Sequence, residues 1–594
     1  MNYGATLLPG GGVQFRVWAP NVRTLAVKLD GRTIPMAREG EDFQILVSDA
    51  QPGQNYSLLL DNDKERPDPV SRYQPQGVHG PSQIVDPNSF IWGDTAWKGL
   101  PLDQYILYEL HTGTFTAQGK FRAIIDRIPY LKDLGVTAIE LMPIAEFPGS
   151  RNWGYDGVDY YAPHSAYGGP DGLKELVNAC HRAGLAVVLD VVYNHVGPEG
   201  NYLGDFGPYF TDNYRTPWGS AMNFDGPGSD GVRRFVIDNA LYWLTEYHID
   251  ALRLDAIHGI YDFGALHILA ELADRFHARA EALGRQAWLI AESDLNDVRV
   301  IQSRAIGGWG MDAQWHDEFH HTLVSYLTSP NRGFLTSFGT LADVQKVMTE
   351  GFVYDGVYSP WRRRRFGSSS KDMPGRQFVV FIQNHDQIAN TCQGARLSQL
   401  VSIEQYKLAA VLLLCSPYLP LLFMGDEFAS PTPFLYFTSH LEESLGRAVT
   451  EGRKKEFADF ASAEDFSDPQ SSETFLKSKI DWHVLKEQPH REVLQLYRQL
   501  IALRKTWPCL ANCRKDLTRI EVDETAKVVR MERSDAAGTR ALLICNFAAT
   551  DATTNISETP ALRTSTANKG VIAARSAALY LSRHDFRSLA SNVK

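Results

Sequence analysis

Cysteine is scarce: there are six in 594 residues, and Cys509 with Cys513 has no second pair at the spacing of a zinc site. A disulfide scaffold is thereby excluded, and the thiols read as mostly buried. No apolar run is long enough for a membrane. One of the longest, AAVLLLC at 409–415, falls far short of the ~20 residues that a bilayer requires. The first residues, MNYGATLLPGGG, carry neither a basic n-region nor an apolar h-region, so a cytoplasmic location is expected. Basic charge is not in excess either. The chain has 59 basic and 70 acidic residues, a net charge of −11, with no basic tail or stripe, which argues against nucleic-acid and anionic-membrane partners. The single basic run, Arg362 to Arg365 in SPWRRRRFG, lies between aromatics and reads as a solvated loop or a cluster paired to nearby acids. Short-period repeats and low-complexity linkers are also missing.

What is present is a soluble, globular composition, 44% hydrophobic and 22% charged, in a chain too long for one ordinary core. Strand-like segments open it: VQFRVWAP (13–20), TLAVKL (24–29), FQILV (43–47) and YSLLL (56–60), separated by Gly, Pro, Asn and Asp turns. A small β-sandwich over 1–100 is expected. The rhythm then changes to eight apolar runs: ILYEL (106–110), TAIELMPI (137–144), LAVVLDVV (185–192), DALRLDAI (250–257), AWLIAES (287–293), DAQWH (312–316), FVVFIQN (378–384) and LPLLFMG (419–425). Helical patterns alternate with them, at 121–135, 172–184 and 232–248 among others. The fold class that follows is α/β: a (β/α)₈ TIM barrel over 101–510. Short strands return at 528–533, 541–547 and 577–582, so a C-terminal β-domain is expected over 511–594.

In such a barrel the reactive groups gather at the C-terminal ends of the strands. DVVYNH (190–195), RLDAIH (253–258), AESD (291–294) and QNHDQ (383–387) bring Asp255, Glu292 and Asp386 to one rim, with Arg253, His195, His258 and His385. Arg253 and Asp255 lie two apart and so share one strand face. Taken singly, the pair reads as an ion pair neutralising itself in the interior. Several charges at matching strand ends would be costly to bury for structure alone.

These four motifs, in this order and spacing, resemble the four short conserved regions of the α-amylase family of glycoside hydrolases. YELHTGTFT (108–116), NWGYDGVDYYAPHSAYGGPDGLKELV (152–177), YFTDNYRTPWG (209–219), GFVYDGVYSPWRRRRFG (351–367) and PDPVSRYQPQGVHGPS (67–82) are similar to the trehalose-releasing branch of that family. The resemblance covers nearly the whole chain, most weakly after about residue 510. It implies hydrolysis of the α-1,4 bond next to the terminal trehalose of maltooligosyltrehalose, with that substrate and related α-glucans as partners. A glycogen branching enzyme, which shares the sandwich, barrel and three carboxylates, is the alternative, followed by an inactive glycan-binding barrel.

Hydrolysis with retention needs two carboxyl groups about 5 Å apart. Asp255, oriented by Arg253, is the expected nucleophile. Glu292, at the end of an apolar strand among other carboxylates, is the expected acid/base with a raised pKa. By resemblance, Asp386 is the third carboxylate, holding sugar hydroxyls; His195 and His385 donate to the sugar at subsite −1, and Tyr155 stacks on it. Asp190 and Asn194 read as supports of the rim. Many α-amylases have Lys then His three residues beyond the nucleophile; here His258 and Gly259 stand there, which implies a different acceptor site. Trp218, Asp317 and Glu318 are further expected substrate contacts. The long interval between the sixth and seventh strands holds Tyr354, Tyr358 and Trp361, aromatic faces suited to a disaccharide leaving group. No cofactor and no metal are assigned.

Overall fold

All eight apolar runs form strands of one closed parallel barrel, in chain order: Leu107–Leu110, Ala138–Leu141, Ala186–Val191, Ala251–Leu254, Trp288–Ala291, Ala313–Trp315, Phe378–Val380 and Leu419–Phe423. Leu107 closes it, in register with Ala138 on one side and Leu421 on the other. The computed structural model describes residues 3–330, 333–457, 466–556 and 558–583.

The barrel interior changes character along its axis. Leu107, Ala138, Val188, Ala251, Ile290 and Ala313 belong to one buried apolar cluster. Side chains two residues further along a strand point to the same face. Those positions are Glu109, Glu140, Asp190, Arg253, Glu292 and Trp315. An apolar plug therefore carries a polar layer directly above it, towards the strand ends.

Helices cover the barrel at Gly169–Arg182, Ser229–Glu246 and Ile268–Leu283. The single helix expected over 121–135 is instead two, Phe121–Ile125 and Ile128–Leu134. Pro129 supplies no N–H and is tolerated only in the first turn, so the second helix starts at its preceding residue.

The N-terminal strands make two antiparallel sheets, one with Gly4–Leu7, Val13–Trp18, Ala37–Glu39 and Asp42–Val47, the other built on Leu25–Leu29 and Asn55–Leu60. Phe15 of one meets Tyr56 of the other edge-on at 5.0 Å, inside a shared apolar core. At the other end, Thr518–Asp523, Val528–Ser534, Arg540–Asn546 and Ser576–Ser582 form an antiparallel sheet with Leu562–Arg563. Its Arg533 is buried and donates to the carbonyls of Cys415 and Ser416 at the C-terminus of helix Ile403–Cys415. A cation there complements the negative end of the helix dipole.

Two long segments rise from the rim. One, after the sixth strand, holds helices Asp317–Thr328 and Leu341–Thr349 and a hairpin of Tyr358–Ser359 with Arg364–Arg365. The other follows the eighth strand and holds helix Glu443–Phe457.

Candidate active site

Arg253 organises the floor of the site. Its side chain is fully buried, with Nη1 2.7 Å from Asp255 Oδ1 and 2.8 Å from Asp190 Oδ2, and Nη2 3.8 Å from Glu292 Oε2. The guanidinium also lies 4.2 Å from the centre of the Trp315 ring. One cation thus meets three carboxylates from three neighbouring strands, and an ion so placed is paired several times over.

Asp255 is fixed from both sides, since Asn194 Nδ2 donates to Oδ2 at 2.8 Å. The chain then turns sharply. Ala256 adopts φ 37°, in the left-handed region that a residue with a Cβ rarely enters. The strained turn aims the Ala256 N–H at Glu292 Oε2. Backbone strain at this point therefore ties the second carboxyl group to the first. Burial, with the Asp255, Asp317 and Asp386 carboxylates, pushes the Glu292 pKa well above the usual range against the opposing pull of Arg253.

Asp386 belongs to helix His385–Ala389, whose N-cap Asn384 accepts from the Asp386 and Gln387 N–H groups. Its side chain is half exposed, unlike those of Asp255 and Glu292.

Tyr155 lines the cleft, and its hydroxyl donates to Asp190 Oδ2 at 2.7 Å. His385 lies 2.8 Å away through Nε2, and its Nδ1 is bonded to Glu109. Burial alone would lower the His385 pKa, but Asp386 and Glu109 outweigh it and push it up to about 9. The expected donation from His385 to a sugar hydroxyl meets a different arrangement: the ring is fully buried, stacked under Tyr155, with both nitrogens engaged by protein. His195 does line the cleft, with Nε2 3.1 Å from the Tyr155 carbonyl and its ring stacked on Trp218 at 5.7 Å.

Trp218 stands at the turn of a hairpin, Phe210–Thr216 with Gly219–Met222, and reaches over Gly259. A Cβ at position 259 would lie 2.9 Å from the Trp218 ring. The glycine beside His258 makes room for the indole. His258 lines the same wall, and burial lowers its pKa.

Trp361, Arg362, Tyr354 and Phe366 of the first rim segment close the cleft from above, and Arg362 pairs with Asp294. The other arginines of the run do not line it, nor does Tyr358, 58% exposed elsewhere on the hairpin. Asp317 lies among the carboxylates, its pKa pushed up to about 7 by burial and then by Asp386. Glu318 borders the cleft, but its Oε2 accepts the Val353 and Tyr354 N–H groups at 2.6 and 3.1 Å. It holds the rim segment, a commitment that the sequence expectation of a sugar contact did not include.

The cleft encloses about 1000 Å³, at the upper end of small-molecule sites. Sequence reading missed Glu109, Glu140 and the second rim segment, which contributes Tyr436, Val449 and Arg453 to the wall. Glu140 is buried, and neither carboxyl oxygen has a protein hydrogen-bond partner. Among the described residues no group of three or more His, Cys, Asp or Glu side chains is placed to hold a metal ion, and no helix is long and apolar enough to cross a membrane.

Comparison with known proteins places this geometry. The model of the α-amylase catalytic domain matches residues 84–216. A malto-oligosyltrehalose trehalohydrolase of Saccharolobus solfataricus is 46% identical over 503 residues, 84% of this chain and 86% of that protein. The chain belongs to the malto-oligosyltrehalose trehalohydrolase family. A second trehalohydrolase, from Arthrobacter ramosus, is 44% identical over 89% of this chain and 92% of its own length. Among solved structures, a putative alpha amylase from Salmonella typhimurium superposes with a TM-score of 0.90 at 38% identity, covering 98% of this chain and 99% of that one. A 1,4-alpha-glucan branching enzyme of Pseudoalteromonas atlantica is further away than either trehalohydrolase, at 26% identity over 84% of this chain and 67% of its own.

Proposed function

We propose that the chain is a retaining glycoside hydrolase that cuts the α-1,4-glucosidic bond beside the terminal trehalose of a maltooligosyltrehalose and releases trehalose. The observation that carries this is the meeting of Asp255 and Glu292 on one guanidinium, in a chain 46% identical to a trehalohydrolase. Asp255 attacks the anomeric carbon while Glu292, kept protonated by burial, gives its proton to the leaving oxygen. Water then enters, Glu292 takes its proton, and the bond to Asp255 breaks. Asp386 holds sugar hydroxyls and favours the positively charged transition state.

Tyr155 is the platform for the sugar at subsite −1, with His195 beside it; His385 acts through the Tyr155 hydroxyl. Trp218, His258 and Trp361 stand on walls suited to a non-reducing disaccharide. Trehalose has no reducing end and its rings join α,α-1,1, so a pocket shaped for it rejects linear maltose by geometry. Asp317 contributes from the floor.

Incubating the pure protein with a maltooligosyltrehalose should give free trehalose and a malto-oligosaccharide. Incubation with amylose should give no new α-1,6 branches. Branches without trehalose would instead identify a glucanotransferase.

A further inference from the structure

A second void of about 630 Å³ opens from the same floor. It shares Glu292, Asp317 and Asp386 with the cleft at its inner end, and His321, Phe334 and Asn390 line both spaces as well. One wall is a stripe of helix Asp317–Thr328: Asp317, His320, His321, Val324 and Thr328 stand at i, i+3, i+4, i+7 and i+11, and so share a face. At 1.5 Å rise per residue the stripe runs ~16 Å outward from the carboxylates. The facing wall comes from the segment after the seventh strand and includes Gln387, Thr391, Leu397 and Leu400. Leu400 is 50% exposed, so the chamber reaches solvent.

Its chemistry differs from that of the cleft. Trp153, Tyr155, Trp218 and Trp361 line the cleft and not the chamber, whose rings besides its histidines are Trp315, which is buried, and Phe334, which the cleft shares. Among the described residues no lysine or arginine lines it, and its carboxylates are the three at the inner end. Burial lowers the pKa of both histidines, His320 to about 4, so the wall is uncharged near neutrality. Neutral walls with scattered polar groups suit water, and at ~30 Å³ each the space holds roughly twenty molecules.

We propose that this chamber is the entry route for the water that hydrolyses the glycosyl intermediate. The inference rests on the retaining reaction proposed above. In that reaction the second step begins with the anomeric carbon bonded to Asp255 and the leaving disaccharide still on the cleft side. Water must arrive beside Glu292, on the face that the leaving oxygen has just vacated. A route reaching Glu292 along helix Asp317–Thr328, away from the Trp218 and Trp361 walls, supplies it before the disaccharide departs. The water oxygen bonds to the anomeric carbon, its proton goes to the Glu292 carboxylate, and the carbon–oxygen bond to Asp255 breaks with its electron pair returning to Asp255. Early water delivery favours hydrolysis over transfer to another sugar.

The test narrows the chamber at Val324→Phe, midway, and at Thr328→Trp, towards its outer end; neither residue lines the cleft. Folding is checked by thermal melting, and either variant suffices if the other fails to fold. Rapid-quench assays on maltotriosyltrehalose should show first-turnover trehalose release within about twofold of wild type. With glucose added as acceptor, the ratio of transfer product to hydrolysis product should rise at least fivefold. An unchanged ratio in a folded, trehalose-releasing variant overturns the route. Failure of the wild type to release trehalose overturns the hydrolase reading instead, independently of either variant.

Discussion

Arg253 and Asp255, two residues apart, meet at 2.7 Å through Nη1, and the same nitrogen holds Asp190 at 2.8 Å. The pair is thus one edge of a larger cluster that also reaches Glu292. Removing one partner of such a buried group leaves uncompensated charge, at a cost of ~3–5 kcal/mol. Arg253→Met should therefore lower stability by about that amount and turnover by at least a hundredfold. Denaturant melts and initial rates check the two effects, and a stable, active variant would contradict the role given to Arg253.

Glu292→Gln should keep fold and substrate binding but lose most turnover, because an amide has the acid's shape and no proton to give. Asp255→Ala should lose turnover to a similar extent. Calorimetric binding of a maltooligosyltrehalose alongside steady-state rates separates binding from chemistry. Retention of more than a small fraction of activity in either variant removes that residue from its role.

Glu140 gives a pH prediction of unusual sign. Burial first, then the neighbouring Glu109, raises its pKa far above the ~4.3 of an unfolded glutamate, with Asp190 adding to the rise and Arg253 and His385 opposing it. A raised carboxyl pKa contributes stability that is fully present below about pH 4.3 and is lost as pH rises towards the folded value. Gln mimics the neutral acid and has nothing to ionise. Glu140→Gln should melt higher than wild type at pH 7–8, with the gap shrinking towards pH 4. A variant less stable than wild type across that range would mean that Glu140 works as an anion.

The Gly259–Trp218 contact predicts a selective defect. Gly259→Ala places a Cβ 2.9 Å from the far edge of the indole, which is 42% exposed and must shift against His195 and His258. The fold should survive, while KM for a trehalose-ended substrate rises several-fold and that for a linear malto-oligosaccharide moves less. Equal changes in the two KM values would place Trp218 away from the leaving disaccharide.

The barrel was legible because its strands are short apolar runs bounded by turns, and the polar residues ending them stood out against that background. Asp255, Glu292 and Asp386 are visible in this way. Glu109 and His385 were not visible as a pair, because 276 residues separate them and only barrel closure brings them together. Glu140 hides for a related reason: one carboxyl in TAIELMPI gives no sign that it faces the barrel interior. Glu318 looked like a neighbour of Asp317 with the same duty. Helical geometry turns consecutive side chains apart, one towards the carboxylates and the other towards the backbone of Val353 and Tyr354. The second rim segment lacks strand-end motifs, so its contribution of Tyr436 and Arg453 emerges only in three dimensions.

The central claim is trehalose-directed hydrolysis, and the most direct test compares kcat/KM for maltotriosyltrehalose with that for maltopentaose, which has the same number of rings. Shape selection for an α,α-1,1-linked leaving group predicts a ratio well above ten, with free trehalose as the released disaccharide. Equal values for the two substrates would contradict it, leaving a general α-1,4-glucan hydrolase on the same three carboxylates.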